Sequence, residues 1–240
     1  SHLNFLDSWE HSKDIIGVIT CGSDAAETVY ACTNHLGLKG ISNEAATTVQ
    51  NKLLMRKHLG ITSLFNNMPE WNYENLQLDI SYTSIQRALV EFSGVVIKPV
   101  GQRASRGVSI VKSQDEIAPA VAKALEFNHL VLVEKYLEGK EYSVEGILDN
   151  GTVIFFNIVE RVFDYANGVA MEIGHINPAS NLDIDPAEIF EFWKLTAKEL
   201  GVTWGPFKID TLVSNGKPYI LETACRLSGW SRTYWPTVRM

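Results

Sequence analysis

The sequence is poor in cysteine, and the cysteines it has are far apart. Three occur among 240 residues, Cys21, Cys32 and Cys225, and no two form a CxxC pair. Disulfide frameworks and structural zinc sites need several cysteines at characteristic spacings, so neither is indicated. We therefore expect a protein of a reducing compartment, the cytoplasm.

Long apolar runs and an excess of basic residues are also missing. No uninterrupted apolar stretch approaches the ~20 residues of a membrane-spanning helix. The formal net charge is −7, from 21 Lys and Arg against 28 Asp and Glu. Because nucleic-acid binding depends on neutralising phosphates with basic side chains, we expect neither a membrane nor a nucleic-acid partner. There is no initiator Met and no leader pattern, which suggests that the numbering begins inside a longer protein.

What is present is a succession of short apolar runs and helical patterns, typical of an α/β or α+β protein. An apolar, β-branched run at 14–20 predicts a strand, and 25–36 has helical spacing. We interpret 1–41 as a partial Rossmann-like unit that precedes the main domain at 42–240.

Strand and helix patterns continue through the main domain. Ser42 or Asn43 is placed to cap a helix, a second helix is predicted at 50–59, and 62–82 is predicted as loops. The predicted strands are 95–98, 108–112, 129–134, 139–147, 152–159, 206–213 and 218–223. Further helices are predicted at 113–127 and 186–201. We expect 93–130 to form a mobile lobe and 131–240 a metal-binding core.

A lysine ends the first apolar strand of the main domain. Lys98 follows three apolar residues, so its ammonium must either emerge at the strand end or meet an anion. The turn beyond it contains Ser105, Arg106 and Gly107, which supply a hydroxyl, a cation and backbone donors. Such a loop can close over phosphates. A lysine that reaches solvent at the strand end is the simpler alternative.

The segment after the strand at 129–134 has the features of a nucleotide hinge. A chain that leaves a strand at Glu134 exposes backbone groups at Tyr136 and Leu137, in the pattern that an adenine edge requires. A carboxylate a few residues on, at Glu141, can accept from both ribose hydroxyls. A solvated loop around Gly139 is the alternative.

Two carboxylates lie on the last pair of predicted strands. A turn at Asn215-Gly216 places Asp210 and Glu222 roughly opposite each other, where they repel unless a cation lies between them. Oxygen ligands of this kind suit Mg²⁺. Arg226 follows one helical turn or tight bend later, where it can stabilise a transferring phosphoryl group. Exposed edge carboxylates and a plain ion pair are the alternatives.

Taken in order, these motifs resemble the ATP-grasp superfamily of ATP-dependent carboxylate–amine ligases. The resemblance covers about residue 45 to the C-terminus. Its motifs are a lysine in an early helix, the Lys-Pro pair with Ser-Arg-Gly-Val, the Val-Glu-Lys-Tyr-Leu-Glu-Gly-x-Glu hinge, and the paired acids ending in Glu-x-x-x-Arg. The ending Glu-x-Ala-x-Arg-x-x-Gly-Trp is similar to that of bacterial L-amino-acid (dipeptide) ligases.

The resemblance implies an ATP-grasp fold with ATP held between two lobes, and it assigns roles to the residues above. Lys52 and Lys98 would bind phosphates, with Lys57 as a competitor for the role of Lys52. Ser105, Arg106 and Gly107 would cover the phosphates. Glu134, with the backbone of Tyr136 and Leu137, would bind adenine, and Glu141 the ribose. Asp210 and Glu222 would bind one or two Mg²⁺, and Arg226 would be catalytic. His175, on the loop where such ligases often face their substrate, is a candidate for substrate contact, as are Lys208, Trp230 and Arg161.

The implied reaction joins a small carboxylate to an amine through an acyl phosphate, and a homodimer is an assembly we keep open. Two departures from the family pattern are the glycine-poor loop around Gln102 and the presence of Ala224 where an asparagine is common. They leave two alternatives: a non-catalytic ATP-binding regulatory module, or a bicarbonate-activating enzyme similar to carbamoyl-phosphate synthase or biotin carboxylase.

Overall fold

The computed structural model describes residues 2–75, 82–102, 105–164 and 171–228. The helices are α1 (His2–Ser8), α2 (Ala26–His35), α3 (Asn43–Gln50), α4 (Lys52–Leu59), α5 (Thr83–Phe92), α6 (Ile117–Leu125) and α7 (Pro186–Glu199). The strands are β1 (Trp71–Asn75), β2 (Val95–Pro99), β3 (Ser109–Val111), β4 (Leu130–Lys135), β5 (Lys140–Asp149), β6 (Thr152–Asp164), β7 (Met171–Ile176), β8 (Gly205–Ser214) and β9 (Lys217–Ala224).

These strands form two separate antiparallel sheets. The smaller has the order β1-β4-β2-β3 and the larger the order β7-β6-β5-β8-β9. Each sheet is covered by helices on one face, which is the arrangement of an α+β protein. The predicted fold class is therefore confirmed.

The smaller sheet packs against α5 and α6. Alternate residues of its strands, such as Val95, Ile97 and Val133, are buried with Val121 of α6. Ser113 opens the helical segment through a capping box with Glu116, as the serine and acid three residues apart indicate. The alternation leaves Val96 and Lys98 of β2 on the opposite face, toward the larger sheet.

The larger sheet packs against α7 and carries the second core. Trp193 of α7 is fully buried against Phe207 and Val144, and a Cβ on Gly146 would lie only 2.7 Å from its ring. Asp185 caps α7 by accepting from the Ala187 amide at 2.8 Å, as predicted.

Both predicted Asn-Gly hairpin turns are confirmed. Asn150-Gly151 and Asn215-Gly216 have φ values of 49°, 79°, 50° and 71°, the left-handed conformation that tight hairpins require. The second turn sets the register of β8 against β9 as far as Thr211 and Ile220, after which the register shifts by one residue.

The two helices predicted after Ser42 are confirmed as α3 and α4, with Ser42 capping the first and Asn51 the second. Three local predictions are wrong. Residues 14–20 form no strand, because no described segment pairs with them. Part of 62–82 is the edge strand β1 and not a loop. His175 lies on the edge strand β7 and not on a loop.

Candidate functional site

A cavity of about 700 Å³ lies between the two sheets, lined by residues of both. It brings together most of the predicted site residues and several that were not predicted. Its basic residues are Lys52, Lys98, Lys135, Arg161, Lys208 and Arg226, and its acidic residues are Asp24, Glu134, Glu141, Glu172, Asp210 and Glu222. A space of this size with charges of both signs suits a charged ligand of nucleotide dimensions.

The two predicted metal-binding carboxylates are directly paired. Asp210 of β8 and Glu222 of β9 are partners in the strand register, which confirms the placement expected from the Asn215-Gly216 turn. Asp210 Oδ1 accepts from Ser143 Oγ at 2.9 Å and from Lys208 Nζ at 2.5 Å. Burial alone would raise the pKa of Asp210, but nearby Arg161 and Lys208 hold it well below its usual range. The carboxyl is therefore ionised.

Lys52 links this acidic pair to the loop of the smaller sheet. Its ammonium is 3.2 Å from Glu222 Oε2 and donates to the Gln102 carbonyl at 2.5 Å. Lys57, the competing candidate, instead lies over the ring of Tyr73 and does not line the cavity. The structure thus places Lys52, and not Lys57, in the site.

Lys98 belongs to a buried ionic cluster. Its Nζ is 2.5 Å from Glu134 Oε2, and Arg56 donates to Glu134 Oε1. Burial lowers the pKa of Lys98 to about 8, although Glu134 opposes this shift. Burial alone would raise the pKa of Glu134, but Arg56 and Lys98 hold it below its ordinary value. Both oxygens of Glu134 are thus engaged by cations, and its backbone partner on β2 is Val96.

A second ionic network lines the other side of the cavity. Arg161 of β6 donates through Nη1 to Glu141 at 2.7 Å and through Nε and Nη2 to the two oxygens of Glu172, at 2.9 and 3.1 Å. His175 Nε2 is 2.8 Å from Glu172 Oε1. Burial raises the pKa of Glu141 despite the neighbouring Arg161. The network connects the predicted ribose residue Glu141 with the predicted substrate residue His175.

Arg226 is paired with a residue from the N-terminal segment. Its Nε and Nη2 donate to the two oxygens of Asp24, at 2.7 and 3.3 Å, and its Nη1 donates to the Leu227 carbonyl at 3.0 Å. Both side chains line the cavity. The guanidinium predicted as catalytic is thus held at the cavity wall by two-point contact, which fixes its plane.

An apolar slot accompanies the charged groups. Val96 and Ile110, partners in the register of β2 and β3, line the cavity from the smaller sheet, and Leu212 lines it from the larger. Tyr136 and Leu137 lie at one end, where the chain crosses from β4 to β5. The Tyr136 amide donates to the Gly94 carbonyl at 3.0 Å. The slot has the apolar walls and polar edge that a flat heterocycle needs.

The predicted phosphate loop reaches the cavity only in part. Ser105, with a φ of 55°, lines it, whereas Arg106 is exposed and does not. Gly107 has a φ of 73°, and a Cβ there would lie 2.8 Å from Phe127, so it serves the turn. Trp230 lies outside the described residues.

Sequence reasoning missed Asp24, Arg56, Ser143 and Glu172 as site residues. Asp24 directly follows the Cys-Gly-Ser turn, one residue before Ala25, the N-cap of α2. Arg56 lies one helical turn after Lys52, so the two side chains share a helix face. This spacing was the sequence signal that could have placed Arg56 near the site. Glu172 is three residues before His175 on a strand that the sequence pattern did not predict.

The paired acids fit magnesium. Within the ranges that the structure describes, no three acidic, histidine or cysteine side chains are arranged so that they could together hold a metal ion, but Mg²⁺ is commonly held by one or two carboxylates and completes its shell with water and phosphate oxygens. Asp210 and Glu222 would hold the ion. Lys52 contacts one oxygen of Glu222 and Lys208 contacts one oxygen of Asp210, so each lysine offsets the charge of its carboxylate.

The fold and the site together define a two-lobed α+β module with a cleft built for a charged ligand. A family model described as the ATP-grasp domain matches residues 91–234, more than half of the chain. The chain belongs to the ATP-grasp family.

Among curated proteins, the chain is similar to D-alanine–D-alanine ligases. It is 36% identical over 135 residues to that of Trichlorobacter lovleyi, which is 53% of this chain and 42% of the relative. It is 36% identical over 132 residues to that of Actinobacillus pleuropneumoniae serotype 5b, which is 53% of this chain and 43% of the relative. The matches span less than half the length of these curated relatives.

Solved structures share the fold at low sequence identity. The L-amino acid ligase from Bacillus licheniformis has a TM-score of 0.74 at 20% identity, covering 97% of this chain and 54% of that one. D-alanyl-alanine synthetase A from Vibrio cholerae has a TM-score of 0.69 at 18% identity, covering 91% and 70%. Among the described helices, none is long and apolar enough to cross a membrane.

Proposed function

We propose that this protein is an ATP-dependent ligase that activates a carboxylate as an acyl phosphate and couples it to an amine. The observation that carries the proposal is the direct pairing of Asp210 with Glu222, each with a lysine at one oxygen, inside a cavity that also holds Lys98 and Arg226. Phosphoryl transfer requires positioning and charge stabilisation of this kind more than it requires a covalent group on the protein.

The proposed arrangement of ATP follows the two kinds of wall. The base would occupy the slot of Val96, Ile110 and Leu212, with the backbone near Leu137 at its edge. Glu141 would accept from the ribose hydroxyls, because its place at the start of β5, directly after the Tyr136–Leu137 crossing, leaves it beside the slot. Lys98 and Lys52 would contact the phosphates. Glu134 would act mainly by holding Lys98.

The carboxylates Asp210 and Glu222 would hold Mg²⁺ as the resident metal, which neutralises phosphate charge when bound. Ser143 and Lys208 would fix the orientation of Asp210. Arg226, kept in place by Asp24, would stabilise the developing negative charge on the reacting group.

The proposed chemistry has two steps. An oxygen of the carboxylate attacks the γ-phosphorus and the bond to the β,γ-bridging oxygen breaks, which releases ADP and leaves an acyl phosphate. An amine then attacks the acyl carbon, the bond from that carbon to the phosphate oxygen breaks, and inorganic phosphate and one proton leave. The product is an amide.

Arg226, Asp24, Glu172 and His175 also line the cavity, so a substrate there would meet side chains of both charge signs. Such a surface suits an amino acid, whose ammonium and carboxylate lie a few ångströms apart. The relatives named D-alanine–D-alanine ligase and L-amino acid ligase support the same class of substrate.

The test is ADP release by the protein with MgATP, across a panel of D- and L-amino acids and other carboxylates, with and without amines. Glu222→Gln is the site variant, and Glu126→Gln, on the exposed end of α6, is the matched control. We expect turnover that requires a carboxylate, persists in the control and falls at least about 100-fold in Glu222→Gln. ATP binding without turnover on any mixture would favour a regulatory module instead.

A further inference from the structure

Arg56 lies behind the cavity at a point where three elements meet. Its side chain is 0% exposed, and arginine is almost never fully buried unless it is paired. Nε donates to Glu134, and Nη2 donates to the carbonyl oxygens of Ile220 and Leu221, at 3.3 and 3.1 Å. One side chain therefore joins helix α4, the smaller sheet at β4 and the larger sheet at β9.

Each of these three elements carries a predicted ligand-binding residue next to the contact. Lys52 lies one helical turn before Arg56 on α4. Glu134 of β4 holds Lys98 at 2.5 Å. Glu222 directly follows Leu221 on β9. A displacement of Arg56 would therefore change the spacing between the two lysines and the acidic pair.

The charges of the cluster also matter. Arg56 and Lys98 carry two positive charges against the single negative charge of Glu134, so the buried group has a net charge of about +1. A buried net charge is costly unless a counter-charge meets it. Lys98 lines the cavity, so the excess positive charge is available to an anion there. Without Arg56, Glu134 would neutralise Lys98 and the cluster would attract a phosphate much less.

We propose that Arg56 is a positioning residue that, through Glu134, holds Lys98 ready for a nucleotide phosphate and in fixed relation to Glu222 on the other sheet. The inference rests on the proposed function only in taking the cavity as an ATP site. Arg56 touches no part of that cavity and acts through Lys98.

The test is a double-mutant cycle on ATP affinity, measured by calorimetry with Mg²⁺ and without any carboxylate. The proteins are the wild type, Arg56→Met, Lys98→Met and the double variant, with Arg87→Met on the exposed face of α5 as the matched control. We expect Arg56→Met to weaken binding at least about tenfold, since a charged hydrogen bond is lost. In the Lys98→Met background, Arg56→Met should weaken ATP binding by less than about threefold, because Lys98, the residue through which Arg56 acts, is already removed.

Additive effects in folded variants would overturn the inference, since Arg56 would then act independently of Lys98. If Arg56→Met does not fold, Arg56→Lys keeps the charge but cannot make the forked contacts to β9. For that variant we expect weaker ATP binding that is again coupled to Lys98→Met. An ATP affinity of Arg56→Lys within twofold of the wild-type value would count against the inference.

A pH profile separates positioning from a merely structural role. The charged groups around Lys98 are Glu134, Arg56, Lys52 and Glu141. In the wild type, ATP affinity should decline as the pH rises above about 8, where Lys98 loses its proton. In Arg56→Met the decline should begin at higher pH, because a repelling cation is removed while Glu134 remains. An unchanged midpoint in a folded variant would overturn the inference.

The two proposals fail in different ways. Coupled Arg56 and Lys98 effects without ligation of any carboxylate would leave the inference standing and refute the ligase. Ligation of a carboxylate together with additive Arg56 and Lys98 effects would support the ligase and overturn the inference.

Discussion

Arg226 and Asp24 form a two-point ion pair although 202 residues separate them in the chain, with the guanidinium Nε 2.7 Å from one carboxylate oxygen and Nη2 3.3 Å from the other. The pair brings the irregular segment before α2 to the wall of the cavity. That segment forms no strand, yet it contributes a charged side chain to the site.

The first prediction follows from this pair. Asp24→Asn keeps the shape of the side chain but removes the charge that holds Arg226. We expect kcat/KM for ligation to fall about 10- to 100-fold, the range for loss of a hydrogen bond to a charged group, with a smaller change in ATP affinity. Steady-state kinetics with saturating ATP measure this.

The matched control for Asp24 is Asp7→Asn. Asp7 also has a side-chain partner, His35 Nε2 at 2.7 Å, but on the exposed surface of the N-terminal helices. The Asp7→Asn substitution should leave the ligation kinetics unchanged. Equal kinetics for Asp24→Asn and the wild type would mean that Arg226 needs no support from the N-terminal segment.

The second prediction concerns Ser143, whose hydroxyl donates to Asp210 at 2.9 Å. Ser143→Ala should raise the Mg²⁺ concentration needed for half-maximal turnover about 10-fold or more, because partners of a metal ligand orient it for the ion. Ser8→Ala on the exposed helix α1 is the control. An unchanged Mg²⁺ requirement in the Ser143 variant would argue against Asp210 as a ligand.

Sequence patterns predicted the elements that carry regular periodicity and strong turn signals. The Asn215-Gly216 turn brings Asp210 and Glu222 roughly opposite each other, because a two-residue loop fixes the register of a hairpin. A register shift between Asp210 and Thr211, which the sequence pattern did not predict, makes the two carboxylates direct partners. The strand β1 was missed because its residues, Trp71 to Asn75, are mostly polar, as an edge strand permits. Strand β7, which pairs with β6 at the edge of the larger sheet, was missed because Glu172, Gly174 and His175 interrupt its apolar residues.

Long-range side-chain partners were beyond the reach of periodicity. From the sequence, Arg56 is expected to be a solvent-exposed cation on an amphipathic helix. Its partner Glu134 is 78 residues away in the chain and contacts it only in the folded protein. Asp24 likewise meets Arg226 only in the folded chain. Local spacing identified the catalytic candidates but not the groups that hold them.

The third prediction tests the hinge between the sheets. A Cβ on Gly139 would lie 2.1 Å from the Val213 carbonyl oxygen, whereas one on Gly174 meets nothing within 4 Å. Gly139→Ala should lower the free energy of unfolding by about 1–3 kcal/mol, because backbone must shift to admit the methyl group. Urea titration of both variants measures this. A Gly139 variant as stable as Gly174→Ala would show that β5 and β8 are not packed this closely.

The fourth prediction concerns stability at acid pH. Burial alone would raise the pKa of Glu172, but hydrogen bonds from His175 and Arg161 lower it from 4.5 to about 2. A depressed pKa stabilises the fold above the ordinary value of 4.5, and that contribution is lost as the pH falls from 4.5 toward 2. Glu172→Gln should therefore be less stable near neutral pH and lose less stability over this acid interval. If the free energy of unfolding of Glu172→Gln and of the wild type fell in parallel between pH 4.5 and 2, this prediction would be contradicted.

The central claim is that a carboxylate is activated as an acyl phosphate, and isotope transfer tests it most directly. The carboxylate substrate found in the ADP-release panel is labelled with ¹⁸O in both oxygens and turned over with MgATP and an amine. Because the attacking oxygen stays on phosphorus when the amine displaces phosphate, we predict one ¹⁸O in each inorganic phosphate released, read by mass spectrometry. Phosphate that carries no label would contradict the acyl phosphate and with it the proposed ligase.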